Sequence, residues 1–247
     1  MNVVVLDASP KGSDGNTAFL LEPLTEGMNK TGADIDVVHI REIKVKPCIG
    51  CYHCWTKEPG KCVHDDDMVW LMPKLASSNI IVLATPLYVD GMAGPMKLVL
   101  DRMLPAIEWK FELRNGHCRH PVREGFVSDG KVVLLSNCGF WELDNFDPLV
   151  AHVKAICENM SREFAAALLR PHGPALKAMV KRGMGGQDVL DALRDAGQQL
   201  VETGSVRPET LTAISRELLP RDHYIQIANM GFERQAAKKD TGDEDEL

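Results

Sequence analysis

The chain has 247 residues, of which 45% are hydrophobic and 26% are charged. This profile is typical of a folded globular protein and excludes collagen-like, mucin-like and disordered classes, and the length allows one large domain or one domain with an appendage. Acidic residues outnumber basic ones by 35 to 28, giving a net charge of -7, which argues against nucleic acid or an anionic membrane as the main partner.

The strands of the protein are predicted from five short apolar runs, which are typical of strands covered on both faces. They are residues 3–6, 35–40, 80–84, 132–136 and 164–169. Between them, residues 17–29, 68–75 and 146–160 have the spacing of amphipathic helices. This alternation predicts an α/β fold with a doubly wound parallel sheet. We assign residues 1–171 to this domain.

The rest of the chain is predicted to be a helical C-terminal extension, residues 172–237. Residues 172–186 are rich in Gly, Pro and Met and predict a mobile connection, whereas residues 187–203 and 208–218 predict helices. The acidic tail, residues 238–247, has too little apolar surface to order itself and is predicted to be disordered.

The compartment is predicted from the cysteines and from the apolar runs. No run approaches the roughly 20 residues that a membrane helix needs, so we expect no membrane segment. The seven cysteines are an odd number, and the N-terminal residues lack a signal-peptide pattern, so a secreted disulfide framework is not expected. We therefore expect a cytoplasmic protein whose cysteines have another role.

A polar loop with glycines, residues 7–17, joins the first strand to the first helix. At the carboxyl edge of a parallel sheet, free backbone N–H groups and the helix dipole favour an anion. Ser9, Asn16 and Thr17 offer hydrogen bonds, and Lys11 offers a charge. Neither GxxxxGK[ST] nor GxGxxG is present, so the loop favours a single phosphate monoester. A plain turn capped by Asn16 or Thr17 is the alternative.

Four cysteines, Cys48, Cys51, Cys54 and Cys62, have the spacing C-x2-C-x2-C-x7-C. Four soft sulfur donors fit an iron–sulfur cluster or a tetrahedral zinc site. The compact run favours the cluster, because zinc sites usually have two separated C-x2-C pairs. Zinc and redox or structural thiols stay open as alternatives. Cys157 lies on the apolar face of its helix, which predicts a buried hydrophobic residue.

Two further loops lie at the same edge of the predicted sheet as the phosphate loop. Residues 85–97 follow the third strand with Tyr88 and two glycines, and residues 136–141 follow the fourth with Asn137 and Trp141. Aromatic rings and exposed backbone amides suit a planar heterocycle. One phosphate and one large ring together predict flavin mononucleotide, FMN.

The sequence resembles the iron-sulfur flavoprotein branch of the flavodoxin-like NAD(P)H-dependent FMN reductase family over about residues 3–170. The resemblance rests on Ser9-Pro10-Lys11 with Gly15-Asn16-Thr17, on the cysteine run followed by Asp66-Asp67-Met68, on Thr85-Pro86-Leu87-Tyr88, and on Lys97 with Asp101-Arg102. It implies a five-stranded sheet of order 2-1-3-4-5, a cluster-binding loop at residues 47–63 after the second strand, and a homodimer or homotetramer.

The resemblance also implies the site residues. FMN would be bound by Ser9, Lys11, Gly15, Asn16, Thr17, Pro86, Leu87, Tyr88, Asp90, Gly91, Asn137, Cys138 and Gly139, and a 4Fe-4S cluster by the four cysteines. No catalytic side chain is implied, because the cofactors carry the chemistry. Two features depart from the family: Lys11 stands where Arg is frequent and cannot make a bidentate clamp, and the extension after Pro171 exceeds the minimal fold.

The implied function is an oxidoreductase that passes electrons through FMN from NAD(P)H or ferredoxin to an acceptor such as a quinone. One alternative is a non-catalytic electron carrier of the flavodoxin kind, since an acidic surface suits docking to a basic partner. The other is an FMN or quinone reductase whose cysteines bind zinc or no metal.

Overall fold

A computed structural model describes residues 1–126 and 130–240 of the chain. Its strands are β1 (Asn2–Asp7), β2 (Asp34–His39), β3 (Ile80–Tyr88), β4 (Gly91–Met92), β5 (Glu112–Arg114), β6 (His117–Arg119), β7 (Lys131–Asn137) and β8 (Glu163–Arg170). Its α-helices are α1 (Asn16–Lys30), α2 (His53–Thr56), α3 (Met68–Ser77), α4 (Gly94–Asp101), α5 (Asp147–Met160), α6 (Gly173–Lys181), α7 (Gln187–Thr203), α8 (Pro208–Ser215) and α9 (Arg221–Asp240).

The central sheet is mostly parallel, which confirms the predicted α/β class. Strands β2, β1, β3, β7 and β8 lie side by side in that order, and each neighbouring pair is parallel. The short strand β4 pairs antiparallel with the end of β3, so the sheet has six strands and not the predicted five. A strand of two residues is too short for hydrophobic periodicity to reveal it. Strands β5 and β6 form a separate hairpin.

The core lies on both faces of the sheet, which explains why the parallel strands are apolar along their length. Val5 of β1, Val82 of β3 and Leu134 of β7 have no exposed surface. Helix α5 buries Leu149, Val153 and Cys157, which are spaced four residues apart on one face. The prediction that Cys157 is a buried hydrophobic residue is thus confirmed.

Helix α7 of the extension packs against α1 with the two backbones in contact. A Cβ atom on Gly27 of α1 would lie 2.0 Å from the carbonyl oxygen of Arg194, and one on Gly197 of α7 would lie 2.2 Å from that of Leu24. Neither position has room for a side chain. The two glycines therefore allow an approach that buries the apolar face of α7.

The predicted domain boundary after residue 171 is corrected by the structure. Residues 1–215 form one compact unit, so α6, α7 and α8 are part of the unit that contains the sheet. Residues 172–186, predicted as a mobile connection, contain α6. Its Gly and Pro residues lie in the first turn, where proline favours a helix start instead of breaking the helix. Helix α8 ends at Ser215 and not at residue 218.

The residues from Arg216 onward form a second unit, whose described part contains α9. The acidic tail predicted at residues 238–247 lies outside the described residues, apart from the α9 backbone up to Asp240. Across 1–126 and 130–240, no helix combines the length and the apolar composition that crossing a membrane requires.

Candidate functional site

A cleft of about 320 Å³ opens at the carboxyl ends of β1, β3 and β7, next to the start of α1. Its lining residues come from four separate segments. They are Ser9, Pro10, Lys11, Asp14, Gly15, Asn16, Thr17, Pro86, Leu87, Tyr88, Asn137, Cys138, Gly139, Pro174 and Lys177. All residues predicted to bind FMN line this cleft except Asp90 and Gly91.

Asp90 and Gly91 lie beyond the cleft because the chain reverses tightly after Tyr88. Strands β3 and β4 pair Tyr88 with Gly91, which leaves Val89 and Asp90 as a two-residue hairpin turn. Both turn residues have positive φ, 47° for Val89 and 59° for Asp90, as a type I′ turn requires. The turn carries Val89 into solvent, where its side chain is fully exposed.

Asp7, the last residue of β1, stabilises the backbone of the predicted phosphate loop, residues 7–17. The Asp7 carboxylate is buried, accepts the Ser9 N–H at 2.9 Å, and contacts His39 Nδ1 of the neighbouring strand at 3.0 Å. Gly15 lies so close to Ser9 that an added Cβ would be 2.1 Å from the serine hydroxyl oxygen. The loop is therefore compact, and its glycine has a steric reason.

Helix α1 begins at the cleft with Gly15 in the N-cap position. Asn16 and Thr17 are thus the first residues inside the helix and not its caps, which contradicts the alternative of a plain turn capped by either side chain. A glycine cap has no side chain to accept the first N–H groups of a helix. Those N–H groups and the helix dipole give this end of the cleft a positive potential.

Asn137 connects the phosphate end of the cleft to β7. Its amide Nδ2 donates to Thr17 Oγ1 at 2.9 Å, and both side chains are buried. Because the threonine oxygen is the acceptor here, its own O–H proton can be donated to a ligand. The contact joins two loops that are 120 residues apart in the sequence.

The ring end of the cleft is held by hydroxyl groups that bridge β3 and β7. Ser136 Oγ donates to the Thr85 carbonyl oxygen at 2.7 Å, and Thr85 Oγ1 accepts the Ala93 N–H at 2.9 Å. Tyr88 remains half exposed at the mouth of the cleft. Its ring is therefore available for stacking.

Cys138 lines the cleft as a neutral thiol. Burial raises the pKa of Cys138, and the thiol lies 3.5 Å from the Phe140 carbonyl oxygen. At neutral pH it stays protonated, so it offers a weak hydrogen-bond donor and not a nucleophile.

The four clustered cysteines line a second cavity together with Arg102. Gly50 and Tyr52, with φ of 66° and 52°, turn the chain between them. Cys48 and Cys51 are exposed, Cys62 is half-buried, and Cys54 at the start of α2 is buried. Across the described ranges, no three or more His, Cys, Asp or Glu side chains are arranged to hold a metal ion. The four thiols therefore lie around one cavity, but among the described residues they are not arranged as a set of metal ligands.

The thiols influence one another electrostatically. Burial raises the pKa of Cys54, and the charges of Cys62, Cys48 and Cys51 raise it further. Neighbouring thiolates therefore repel each other in this cavity, and a cation placed among them would relieve that repulsion.

A buried ion pair fixes the cysteine loop to the rest of the unit. Arg102, which follows α4, donates to both carboxylate oxygens of Asp66, at 2.6 and 3.1 Å, and to the Lys46 carbonyl oxygen at 2.7 Å. Burial alone would raise the pKa of Asp66, but the hydrogen bonds from Arg102, Lys46 and Met68 outweigh it and lower that pKa. The carboxylate therefore stays ionised and holds residues on both sides of the loop.

Sequence reasoning missed Lys177 and Pro174 in the cleft and the role of Arg102 beside the cysteines. Asp66 accepts two hydrogen bonds from Arg102, and Asp67 accepts the Lys44 N–H at 2.6 Å. No local pattern could reveal Lys177, because its contact with Asp14 spans 163 residues.

The sequence comparisons with known proteins cover about half of the chain. Residues 1–119 match the model of the NADPH-dependent FMN reductase family. An iron-sulfur flavoprotein from Archaeoglobus fulgidus is 31% identical over 130 residues, which cover 53% of this chain and 62% of that protein. One from Methanocaldococcus jannaschii is 31% identical over 115 residues, which cover 47% of this chain and 58% of the relative. The matches span less than two thirds of either relative.

Solved structures share the fold at low sequence identity. An FMN-dependent NADH-azoreductase from Bacillus anthracis, in complex with FMN, has a TM-score of 0.59 at 13% identity and covers 81% of this chain and 99% of its own. An NAD(P)H:quinone oxidoreductase from Methanothermobacter marburgensis has a TM-score of 0.56 at 16% identity, with coverages of 81% and 96%.

Proposed function

We propose that the chain is an FMN-dependent oxidoreductase of the iron-sulfur flavoprotein branch of the NADPH-dependent FMN reductase family, whose model matches residues 1–119. One observation carries the proposal. The predicted phosphate loop, residues 7–17, and the loops that follow β3 and β7 are distant in sequence, yet all three line a single cleft at the carboxyl edge of the sheet. In open α/β sheets this edge is where ligands bind.

The chain's own residues would bind FMN in two parts. The N–H groups at the start of α1, the hydroxyls of Ser9 and Thr17 and the charge of Lys11 hold the phosphate. Leu87, Tyr88 and the loop 137–139, which line the rest of the cleft, would hold the ring. The Thr17–Asn137 bond supports the proposal, because it links the two parts at a fixed spacing.

The four cysteines are proposed to hold a 4Fe-4S cluster. The donor chemistry fits, since four sulfur atoms line one cavity, and the iron ions of a cluster would offset the mutual repulsion that deprotonation of these thiols creates. Arg102 adds a positive charge beside Cys62, which acts to raise the pKa of Arg102. The relatives named iron-sulfur flavoprotein support the cluster over zinc.

When bound, FMN takes up a hydride and releases electrons singly, and a 4Fe-4S cluster takes one electron at a time. The role of the chain is to position the two groups and to set the charge around them. The donor is proposed to be NAD(P)H or ferredoxin, and the acceptor a small molecule such as a quinone. Copies of the chain are proposed to pair as a homodimer or homotetramer.

Anaerobic purification followed by counting of flavin, iron and acid-labile sulfide tests the cofactors. We expect FMN together with about four irons and four sulfides per chain. If the protein contains zinc and no acid-labile sulfide, the cysteines bind zinc and not a cluster. If the protein shows no flavin absorption, the proposed function is wrong. The Cys54→Ser variant should lose iron and keep FMN, whereas Cys118→Ser, an exposed cysteine outside the cavity, should keep both.

Anaerobic stopped-flow mixing with NADH, NADPH and reduced ferredoxin tests the reaction. At least one donor should bleach the flavin absorption, and a quinone should restore it over many turnovers. Bleaching without turnover on any soluble acceptor would favour the electron carrier. If none of the three donors bleaches the flavin absorption, the proposed reductase activity is wrong.

A further inference from the structure

We propose that Lys177, on helix α6 of the C-terminal extension, is a second cation for the FMN phosphate and makes the extension part of the cofactor site. This inference rests on the proposed function. It assigns a role to a segment that lies outside the matched family region, residues 1–119.

Lys177 lines the same cleft as Ser9 and Thr17, which are proposed to hold the phosphate. Its side chain lines the cleft with Lys11, and its Nζ donates to the carbonyl oxygen of Asp14. The Nζ also lies 5.8 Å from the centroid of the Phe19 ring, on the first turns of α1. An ammonium group has three N–H donors, so a single carbonyl contact leaves two for a ligand.

The electrostatic surroundings of Lys177 suit an anion. Burial lowers the pKa of Lys177, and the positive charges of Lys181 and Lys11 lower it further, with only Asp14 acting in the opposite direction. The start of α1 adds its dipole at the same place. A phosphate group between the two lysines would replace this repulsion by two attractive contacts.

Helix α6 is held firmly enough to position the lysine. The Gly173 N–H donates to the Cys138 carbonyl oxygen at 2.9 Å, and the His172 N–H donates to that of Phe140 at 2.6 Å. A Cβ on Gly173 would lie 3.1 Å from the Asn137 side chain. The helix thus starts against the same β7 loop that lines the cleft.

A second cation also answers a chemical need of the site. A phosphate monoester carries roughly -1.5 to -2 charge at neutral pH. Lys11 is a single point charge and cannot match two phosphate oxygens as an arginine fork does. Lys177 lines the same cleft and supplies a second positive charge, so two lysines together replace one bidentate residue.

The test compares FMN with riboflavin, which has the same ring and no phosphate. Flavin-fluorescence titration of the flavin-depleted full chain measures both affinities for the natural protein, for Lys177→Met, which keeps an apolar stem over Phe19, and for Lys181→Met. Lys181 is exposed on the same helix and does not line the cleft. We expect Lys177→Met to weaken FMN binding about ten- to a hundredfold, the usual effect of a charge-assisted hydrogen bond, and riboflavin binding less than about twofold.

Three results would overturn the inference. Unchanged FMN affinity means that Lys177 does not contact the phosphate, and equal weakening of FMN and riboflavin means that it only supports the fold. An equal effect of Lys181→Met means that the general charge of α6 is responsible. If Lys177→Met does not fold, Lys177→Gln replaces it, because it also removes the charge, and it should show the same selective loss of FMN affinity over riboflavin affinity. A natural chain that binds neither flavin would instead overturn the proposed function itself.

Discussion

Asp66 and Arg102 are charged side chains inside the protein, with 3% and 1% of their surfaces exposed. A buried ion pair adds little net stability, because removing both charges from water costs about as much as their attraction returns. Removing one partner is different, since the other charge then stays buried without compensation. The main role of the pair is therefore to connect the cysteine loop, the start of α3 and the end of α4.

We expect Asp66→Asn to lower the free energy of unfolding by about 3–5 kcal/mol and to lower iron retention. Urea denaturation measures the first effect and iron analysis the second. Asp65→Asn is the control, because Asp65 is exposed and its loss should cost less than about 0.5 kcal/mol. Equal stabilities of the two variants would contradict a structural role for the pair.

Acid should weaken the ion pair between Asp66 and Arg102. The pKa of Asp66 lies below its ordinary value, so its contribution to stability is present above the unfolded pKa, about 3.9, and is lost as pH falls through the lower folded value. Below pH 4, the difference in unfolding free energy between the natural chain and Asp66→Asn should shrink. A difference independent of pH would exclude ionisation of Asp66 as the cause.

The buried thiol of Cys157 predicts a loss of stability at high pH. Burial on α5 raises the pKa of Cys157 to about 12, above the unfolded value. The unfolded chain therefore releases this proton first, and stability should fall as pH rises from about 9 towards 12, by up to about 1.4 kcal/mol per pH unit. Thermal denaturation should show a flatter decline for Cys157→Ala and an unchanged decline for Cys118→Ala.

At the scale of elements, the β3–β4 hairpin combines a functional position with an unfavourable backbone. Val89 is β-branched and has a positive φ of 47°, a conformation that costs an L-residue roughly 1–2 kcal/mol. Asn or Gly is the usual choice in such a turn. The turn holds Tyr88 at the mouth of the cleft, so part of the local strain is located beside the proposed ring site.

Val89→Asn should stabilise the protein by about 1 kcal/mol, because asparagine tolerates this backbone conformation. In a chain of this size the melting temperature should rise by about 2–4 °C. The control is Val37→Asn in strand β2, where asparagine is unfavourable, and it should lower the melting temperature. A lower melting temperature for Val89→Asn would mean that the valine side chain has a packing role.

Helix α7 packs against α1, the helix whose first residues line the cleft. Because a Cβ on Gly197 would lie 2.2 Å from the Leu24 carbonyl oxygen, Gly197→Ala must push the helices apart. We expect a loss of roughly 1–3 kcal/mol in urea denaturation together with weaker FMN binding. Gly94→Ala is the control, because nothing lies within 4 Å of a Cβ there. It should leave both quantities nearly unchanged.

At the scale of the whole molecule, the compact unit ends at Ser215, and all residues that line the cleft and the cysteine cavity lie within it. The buried face of α7, including Val189, Leu193 and Leu200, covers α1. A chain that stops after Pro171 would expose that surface of α1, whereas a chain that stops after Ser215 would not.

We expect the shortened chain 1–215 to fold and to keep its FMN affinity, and the chain 1–171 to aggregate or to melt without cooperativity. Circular dichroism and flavin titration distinguish the two. Cooperative unfolding of the chain 1–171 would restore the boundary that the sequence predicts. Loss of FMN binding in the chain 1–215 would assign the second unit a part in the site.

Local features of the sequence revealed more of the site than of the domain limits. The glycine-bearing loop 7–17, the loops after β3 and β7 and the cysteine run were each recognisable from a few neighbouring residues. Asp90 and Gly91 do not line the cleft with the other residues predicted to bind FMN, because a two-residue turn without a strong periodic signal redirects the chain. The boundary at residue 171 was misplaced because the number of strands does not disclose which helices cover them.

The sequence by itself determined the alternation of strands and helices, the polar glycine-bearing loop before α1 and the grouping of the four cysteines, because these depend on residue spacing within one segment. The tertiary structure alone decided that Arg102 lies beside the cysteines and that Lys177 lines the same cleft as Lys11. Both depend on contacts between segments that are distant in the sequence. For Lys177 the contact is the start of α6 against the loop after β7, where the Gly173 N–H donates to the Cys138 carbonyl oxygen.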